Sequence, residues 1–223
     1  MRLPGVLQAL TPPPDIPSLR DAGDIEGLID LLSHPEFDVQ WRAAEALGVI
    51  GSPALDRLVE RLLHPNPKVR LGIIEALGEI RDLRAVEPLI KHLRDPSAEL
   101  RWGVALALGE IGDVRAIGPL LPGLRDPDRY VRYGTALALR KLGWTPGNDE
   151  ERAYLELGLQ DWAGLAALGP PAIPALDFAL KDRERTVRVR AVEILGEIGN
   201  DAAIPAILRG LRDPDEEVRW QAV

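Results

Sequence analysis

The chain has 223 residues, a length that suits one domain or a single extended array of repeats. Its 35 acidic and 27 basic residues give a net charge of −8, which disfavours nucleic acids and anionic membranes as partners because both are bound through basic surface. The absence of cysteine excludes disulfides, thiolate catalysis, iron–sulfur clusters and cysteine-ligated zinc.

The first segment, residues 1–21, is predicted to be an irregular leader rich in proline. Pro12, Pro13 and Pro14 remove backbone donors and disfavour helical geometry in the residues before them. The apolar stretch within the leader is too short and too interrupted for a secretory signal. No run of about 18 apolar residues follows anywhere in the chain, so no transmembrane helix is expected. These features predict a cytoplasmic protein.

From residue 22 onward one phrase recurs about every 31 residues. It begins with His-Pro, Asp-Pro or, once, Asp-Arg, and six positions later comes an arginine, or a glutamine in the first unit. An apolar block such as EILGEIG (193–199) follows, and a second apolar phrase such as AIPAILRGL (203–211) precedes the dipeptide. Two short apolar-periodic segments per unit predict an all-α solenoid. The dipeptides begin at His34, His64, Asp95, Asp126, Asp182 and Asp213.

Each unit is predicted to contain two helices, A and B, joined by a tight turn at the dipeptide. In helix A of the third unit, Val86, Leu89 and Ile90 follow the i, i+3, i+4 spacing of one helical face. Helix B ends at a glycine, as Gly112 illustrates, because glycine adopts the left-handed conformation at little cost. Most prolines fall at the turn or near the start of helix A, where a missing N–H costs little. In the fourth unit, Pro122 falls inside helix A, which is expected to be kinked.

Four repeats are predicted over residues 22–143, and one full and one truncated repeat over 169–223. The last unit stops inside helix B at Val223, which leaves two interpretations open. The chain is truncated there, or the final repeat is a degenerate C-terminal cap.

The period breaks over residues 144–168, which are predicted to form an irregular acidic helical insertion. Five acidic residues and one arginine give this segment a local charge of −4. One interpretation is a helical pair that fills a repeat position, with Trp144 and Trp162 as packing anchors. The other is a bend or protrusion that shapes a binding site.

The phrase DPxxxVRxxAxxALGxIG, matched by residues 95–112 and 126–143, resembles the HEAT-like repeats of the phycobilisome-lyase (PBS lyase) family. The resemblance implies a right-handed solenoid of two-helix repeats of about 31 residues. It also implies a hydrogen-bonded ladder between neighbouring repeats, built from the turn aspartate and the helix-B arginine. The first two units depart from the pattern, so the ladder is expected to weaken toward the N-terminus. The matching residues are Asp95, Arg101, Asp126, Arg132, Asp182, Arg188, Asp213 and Arg219.

No catalytic residue, metal ligand or cofactor site is expected. His34 and His64 occupy the turn position that later units give to aspartate, and no third ligand accompanies them. No histidine is followed by glutamate, unlike in the HEAT-repeat di-iron enzyme deoxyhypusine hydroxylase, and glycine-rich phosphate loops are absent. The family name leaves a bilin lyase or isomerase subunit as one alternative. A repeat fragment of a larger enzyme or sensor is the other.

The position after the ladder residue is aromatic in four of six units. On a helical wheel Trp41 lies about 200° from Val39, away from the apolar face. The following position is glycine in the middle three units, which costs about 1 kcal/mol each in a helix and suggests room for a ring or a partner. The residues at the aromatic position are Trp41, Leu71, Trp102, Tyr133, Val189 and Trp220.

In HEAT-like repeats helix B lines the concave side, so the resemblance implies a concave aromatic strip. We define the strip as Trp41, Leu71, Trp102, Tyr133 and Trp220, with flanking acids at Glu45, Glu75, Glu79 and Glu110. The predicted function is a non-catalytic scaffold that binds a protein or peptide of basic or amphipathic character. The alternative is that these rings lie flat against adjacent helices and complete the packing of the solenoid.

Overall fold

A computed structural model describes residues 14–223. Within this range the chain forms fifteen α-helices and no strands, as the predicted all-α solenoid requires. Short 3-10 helices precede helix A in most repeats, for example at Leu83–Ala85. The first seven α-helices are α1 (Ile16–Ala22), α2 (Ile25–Leu31), α3 (Phe37–Ile50), α4 (Leu55–Arg61), α5 (Pro67–Ile80), α6 (Val86–Ile90) and α7 (Ala98–Ile111). The others are α8 (Ile117–Leu120), α9 (Arg129–Lys141), α10 (Asp149–Leu159), α11 (Trp162–Leu168), α12 (Ile173–Ala179), α13 (Arg185–Ile198), α14 (Ile204–Gly210) and α15 (Glu216–Gln221).

The long B helices stack on one another in chain order. Helix α3 packs against α5, α5 against α7, and α7 against α9, while the short A helices pack beside them. The backbones approach closely at the glycine of the LGEI block. A Cβ added to Gly109 would lie 2.9 Å from the Cα of Ala138, so only glycine fits there. We call the exposed surface of the stacked B helices the helix-B face.

Helix α1 corrects the predicted extent of the irregular leader. The leader was expected to run to residue 21, but α1 begins at Ile16. The Asp15 carboxylate caps this helix by accepting a hydrogen bond from the Ser18 amide at 3.1 Å, and Pro17 lies in the first turn, where it is tolerated. Ile16 is buried, and α1 packs against α3. The rest of the leader, residues 1–13, lies outside the described residues.

The interrupted helix A of the fourth repeat is confirmed. Helix α8 has only four residues and continues as a 3-10 helix over Leu121–Arg125. Pro119 and Pro122 remove two backbone donors from this stretch, and flanking glycines weaken it further.

The insertion (residues 144–168) forms two helices between the fourth and the next full repeat. Helix α10 packs against α9 and α12, and α11 packs against α13. Asn148 caps α10 and Asp161 caps α11, each through a side-chain oxygen that accepts a backbone N–H. The insertion therefore separates α9 from α13 along part of their length.

Candidate partner-binding face

The ladder arginines join each repeat to the next. Arg101 donates from Nη1 to the carbonyl oxygen of Asp95, at 2.8 Å, within its own repeat. Its Nε and Nη2 donate to the carboxylate of Asp126 in the following repeat, at 2.7 and 2.8 Å. The same arrangement recurs at Arg188, whose carboxylate partner is Asp213. Each arginine therefore binds the backbone of its own turn and the carboxylate of the next turn.

The ladder differs in the first two repeats. The Nδ1 atoms of His34 and His64 accept backbone N–H groups two residues later, at 3.1 and 3.2 Å, in the place of the aspartate carboxylate. Gln40 still donates to the His34 carbonyl but has no charge to offer a neighbour. Arg70 reaches the Asp95 carboxylate only at 3.8 Å. These contacts leave the N-terminal part of the ladder with weaker ionic connections than the C-terminal part.

The ladder also crosses the insertion. Arg132 of α9 donates to the carboxylate of Asp182, 50 residues away, and the two side chains are only 3% and 2% exposed. The Arg132 guanidinium also lies 5.6 Å from the centre of the Phe178 ring. The turns of the two repeats thus meet directly, although α10 and α11 separate the B helices beyond them. Arg219 in α15 donates to the carbonyl oxygen of Asp213.

The middle of the aromatic strip is partly buried in the joints between repeats. A Cβ at Gly103 would lie 2.8 Å from Leu71 Cδ1, and one at Gly134 would lie 2.7 Å from Trp102 Cδ1. The glycines therefore make room for the side chain of the preceding repeat. Leu71 and Trp102 are half-buried, and Val189 at the same position is buried.

Three strip residues present their rings to solvent. Trp41 is 53% exposed, Tyr133 41% and Trp220 76%. Trp41 and Tyr133 lie on α3 and α9, at opposite ends of the regular stack of B helices. The strip is therefore two exposed rings joined by half-buried apolar side chains, with a third ring on α15.

The four flanking glutamates differ in exposure and in ion pairing. Glu45, Glu75 and Glu79 are exposed. Glu110 is half-buried and ion-paired, since it lies 2.5 Å from Lys141 Nζ and 2.8 Å from an Arg81 nitrogen. These two cations, Lys141 first, hold the pKa of Glu110 below its usual range.

The pKa of Glu75 is shifted in the opposite direction to that of Glu110. Its pKa is raised, chiefly by desolvation and then by the like charge of Glu99 on α7. The Glu75 side chain is nevertheless exposed at the surface.

A crevice of about 720 Å³ opens between α9 and α10. Its position depends on how α10 follows α9, so the sequence did not predict it. The only signal was a tryptophan directly after the glycine that ends α9. The side chains around it are Tyr133, Leu137, Arg140, Trp144, Thr145, Pro146, Leu155, Glu156, Leu159 and Asp161, with Gly143 also in the lining.

Glu156 is the most enclosed carboxylate of the crevice, with a side chain 17% exposed. Within the described chain, its closest cation is Arg152, whose Nε lies 3.8 Å away, beyond hydrogen-bond range. Desolvation, and then the charge of Asp161, raise the pKa of Glu156.

The profile of the family described as HEAT repeats matches residues 25–99, 55–140, 86–162 and 170–223. The chain belongs to the HEAT repeat family. The match includes α10 at the start of the insertion and both repeats that follow it. No significant match was found among curated proteins.

Solved structures similar to this HEAT-repeat chain include natural and designed proteins. Human deoxyhypusine hydroxylase in complex with glycerol is 21% identical over 93% of this chain and 85% of its own, with a TM-score of 0.47. An engineered protein is 23% identical over 93% and 68%, with a TM-score of 0.45. A designed armadillo repeat protein in complex with the peptide (KR)4 is 20% identical over 89% and 96%, with a TM-score of 0.40.

Residues 14–223 contain neither a cluster of metal-ligating side chains nor a membrane-spanning helix. No group of three or more histidine, aspartate or glutamate side chains in this range is arranged to hold a metal ion. No helix in the same range is long and apolar enough to cross a membrane.

Proposed function

We propose that this HEAT-repeat protein is a non-catalytic scaffold that binds a segment of a partner protein on the helix-B face. The observation that carries the proposal is the exposure of Trp41 and Tyr133, which occupy one register position on two helices of the same stack. Exposed aromatic rings bury large area at little cost in rotamer entropy, and they dominate many interfaces.

The half-buried members strengthen this interpretation of the strip. Leu71 and Trp102 are held in place by the glycines of the next helix, so they offer a preorganised apolar floor between the two exposed rings. Helix B lines the concave side in HEAT solenoids, and we place the partner segment there.

The charges of the face favour a basic or amphipathic segment. Glu45, Glu75 and Glu79 are exposed beside the strip. The raised pKa of Glu75 reports a carboxylate that is partly desolvated and close to the like-charged Glu99. A lysine or arginine of the partner would offset both effects. The bilin-lyase alternative and the alternative of a fragment of a larger enzyme or sensor stay predictions from sequence.

Selection from a random-peptide display library tests the proposal and does not require the natural partner. The wild-type chain is expected to enrich peptides that combine apolar residues with lysine or arginine. The double variant Trp41→Ala/Tyr133→Ala is expected to bind the selected peptides at least about 10-fold more weakly, because each ring contributes on the order of 1 kcal/mol or more. Fluorescence anisotropy measures the affinities.

The control removes exposed apolar side chains elsewhere on the surface. Leu83 and Val114, which are 56% and 66% exposed, lie in the 3-10 helices that precede helix A. The variant Leu83→Ala/Val114→Ala is expected to bind like wild type. Failure to enrich any peptide, or an equal loss of binding in this control, contradicts the proposal.

A further inference from the structure

The crevice between α9 and α10 exists because the insertion interrupts the regular register of the strip. In the preceding joint, the Trp102 ring is covered by Gly134 of the next B helix. After α9 the next helix is α10, which approaches α9 through Gly158. A Cβ there would lie 3.0 Å from the carbonyl oxygen of Arg132. This contact uses the face of α9 beside Tyr133, so the Tyr133 ring lines an open space and has no glycine of a following B helix against it.

The walls and floor of this space differ in chemistry. Tyr133, Trp144 and Leu159 are partly exposed apolar side chains along its walls. Glu156 lies deeper, and its carboxylate accepts no hydrogen bond from a basic side chain or a backbone N–H of the residues that the structure describes. Asp161 is a second carboxylate in the lining.

Arg140 is the cation among the lining residues, and it is exposed. The lining carries two carboxylates and Arg140, and Arg152 lies beside it with its Nε 3.8 Å from the Glu156 carboxylate. Neither arginine is within hydrogen-bond range of this carboxylate, so its enclosed oxygens are open to a positively charged donor.

We propose that this crevice binds one cationic side chain, a lysine or an arginine, of the segment that lies along the aromatic strip. The charged group meets the carboxylates of Glu156 and Asp161, and the alkyl stem lies against Tyr133 and Trp144. The inference rests on the proposed function in one respect, because it assigns the crevice to the same partner segment. The site itself is defined by the crevice and can be tested with a small cation alone.

Three physical arguments favour a cationic side chain over other occupants. A neutral apolar group would desolvate Glu156 further without compensation, and an anion would meet like charge. Lysine and arginine combine an apolar stem with a charged end, which matches apolar walls around an acidic floor. Calcium takes six to eight oxygen ligands, and two carboxylates supply too few to hold it.

The test uses n-butylammonium as the probe and n-butanol as its neutral counterpart, with the full chain at low ionic strength. The indole N–H signals of the five tryptophans are followed by ¹H–¹⁵N NMR, and the Trp144 signal is assigned with Trp144→Phe. Butylammonium is expected to shift the Trp144 signal saturably. Butanol is expected to bind at least about 5-fold more weakly, as loss of a partly desolvated ionic contact predicts. The Trp41 signal serves as the internal reference.

Variants separate the role of the carboxylate from that of the walls. Glu156→Gln is expected to lower the affinity for butylammonium at least about 5-fold. Glu150→Gln is the control, because Glu150 lies on the same helix but is paired with Arg125, and it is expected to leave the affinity unchanged. Tyr133→Leu keeps the wall apolar but removes the aromatic ring, so the affinity for butylammonium is expected to fall about 2- to 5-fold. Thermal unfolding followed by circular dichroism verifies that each variant is folded.

Three results would overturn the inference: a Trp144 signal that does not respond to butylammonium, an equal response to butanol, or an unchanged affinity in Glu156→Gln. These outcomes are independent of the peptide selection. Peptides that bind the strip while butylammonium fails to bind would remove the crevice site and leave the scaffold function. The reverse result would remove the scaffold function and leave the crevice as a cation site.

Discussion

The joint between α7 and α9 and the joint across the insertion contain the same arginine–aspartate pair, but water reaches the two pairs to different extents. Arg101 and Asp126 are 14% and 11% exposed, whereas Arg132 and Asp182 are 3% and 2% exposed. The first pair is separated by 25 residues and the second by 50. The ladder therefore follows spatial adjacency of the turns rather than spacing in the chain, and the insertion increases the burial of its rung.

The contacts between neighbouring helices show the opposite trend: they are closer in the regular stack than beside the insertion. In the regular stack, a Cβ at Gly109 of α7 would touch the backbone of the next helix. At the equivalent position of α9, beside the insertion, the chain has Arg140, whose side chain is exposed. The position at which the regular stack requires glycine thus accepts a long side chain where α10 follows α9. Four variant series test this contrast, beginning with the largest expected effect.

Removing the carboxylate of the buried rung is expected to have the largest effect. Asp182→Ala leaves the Arg132 guanidinium buried without its counter-charge, so the free energy of unfolding is expected to fall by about 3–5 kcal/mol. Asp126→Ala is the matched variant, because each aspartate also accepts the backbone N–H two residues later. Its loss is expected to be about 1.5–3 kcal/mol, since water can partly solvate Arg101. Urea unfolding measures both values, and equal losses would contradict the difference between the joints.

Alanine variants of the strip are expected to distinguish side chains that pack between repeats from side chains that are exposed. Trp102→Ala deletes an indole that rests on Gly134, and it is expected to cost about 2–3 kcal/mol, less than a fully buried ring. Tyr133→Ala, at the equivalent position beside the insertion, is expected to cost less than about 1 kcal/mol because the ring is exposed. Thermal and urea unfolding provide the comparison. A larger loss for Tyr133→Ala would assign its ring to packing.

Alanine at the equivalent position of α7 and α9 is expected to have unequal effects on stability. Gly109→Ala forces a contact of 2.9 Å with the backbone of α9, which cannot move aside, and is expected to destabilise by about 1–3 kcal/mol. Arg140→Ala shortens an exposed side chain and is expected to change the free energy of unfolding by less than about 0.5 kcal/mol. Denaturant midpoints at equal m-value measure both changes, and equal losses would contradict the looser contact of α9 beside the insertion.

Two glutamates are expected to show the smallest effects, with opposite dependence on pH. The pKa of Glu110 is lowered by Lys141 and Arg81, so its ionised form stabilises the fold above its usual titration range. Glu110→Gln is therefore expected to be less stable than wild type at about pH 7, with the difference shrinking at about pH 4 and below.

Burial raises the pKa of Glu156, so its ionised form opposes folding at neutral pH. Glu156→Gln is expected to be slightly more stable than wild type at about pH 7, and the difference is expected to vanish at about pH 4. Both effects are expected to stay below about 1 kcal/mol. Urea unfolding as a function of pH measures them, and a shared sign would contradict the assigned environments.

The sequence predicted most of the fold because its signals are local. Helix ends are marked by residues such as Gly112 and by caps such as Asn66, which act within one turn of the chain. The broken helix A at Pro122 was predictable for the same reason. Helix α1 was missed, since the run of prolines before it obscured the Asp15 cap.

The candidate site was predictable only in part. Helical periodicity identified the register position of the strip, because it depends on spacing alone. The exposure of each side chain depends on which helix comes next in the stack, and so Trp102 and Tyr133 differ although their position is the same. The sequence identified Glu110 as an acid beside the strip, but not its two ion pairs, because the cations come from the ends of α5 and α9.

By itself, the sequence determined the repeat period and the two helices of each unit, because both follow from patterns within about 31 residues. The residues of the ladder followed from the resemblance to HEAT-like repeats. Only the tertiary structure decided that Arg132 binds an aspartate 50 residues away, and that α10 opens a crevice lined by Tyr133 and Glu156. The physical reason is that backbone hydrogen bonds and caps act along the chain. Burial and ion pairing depend instead on the distances between helices that are far apart in sequence.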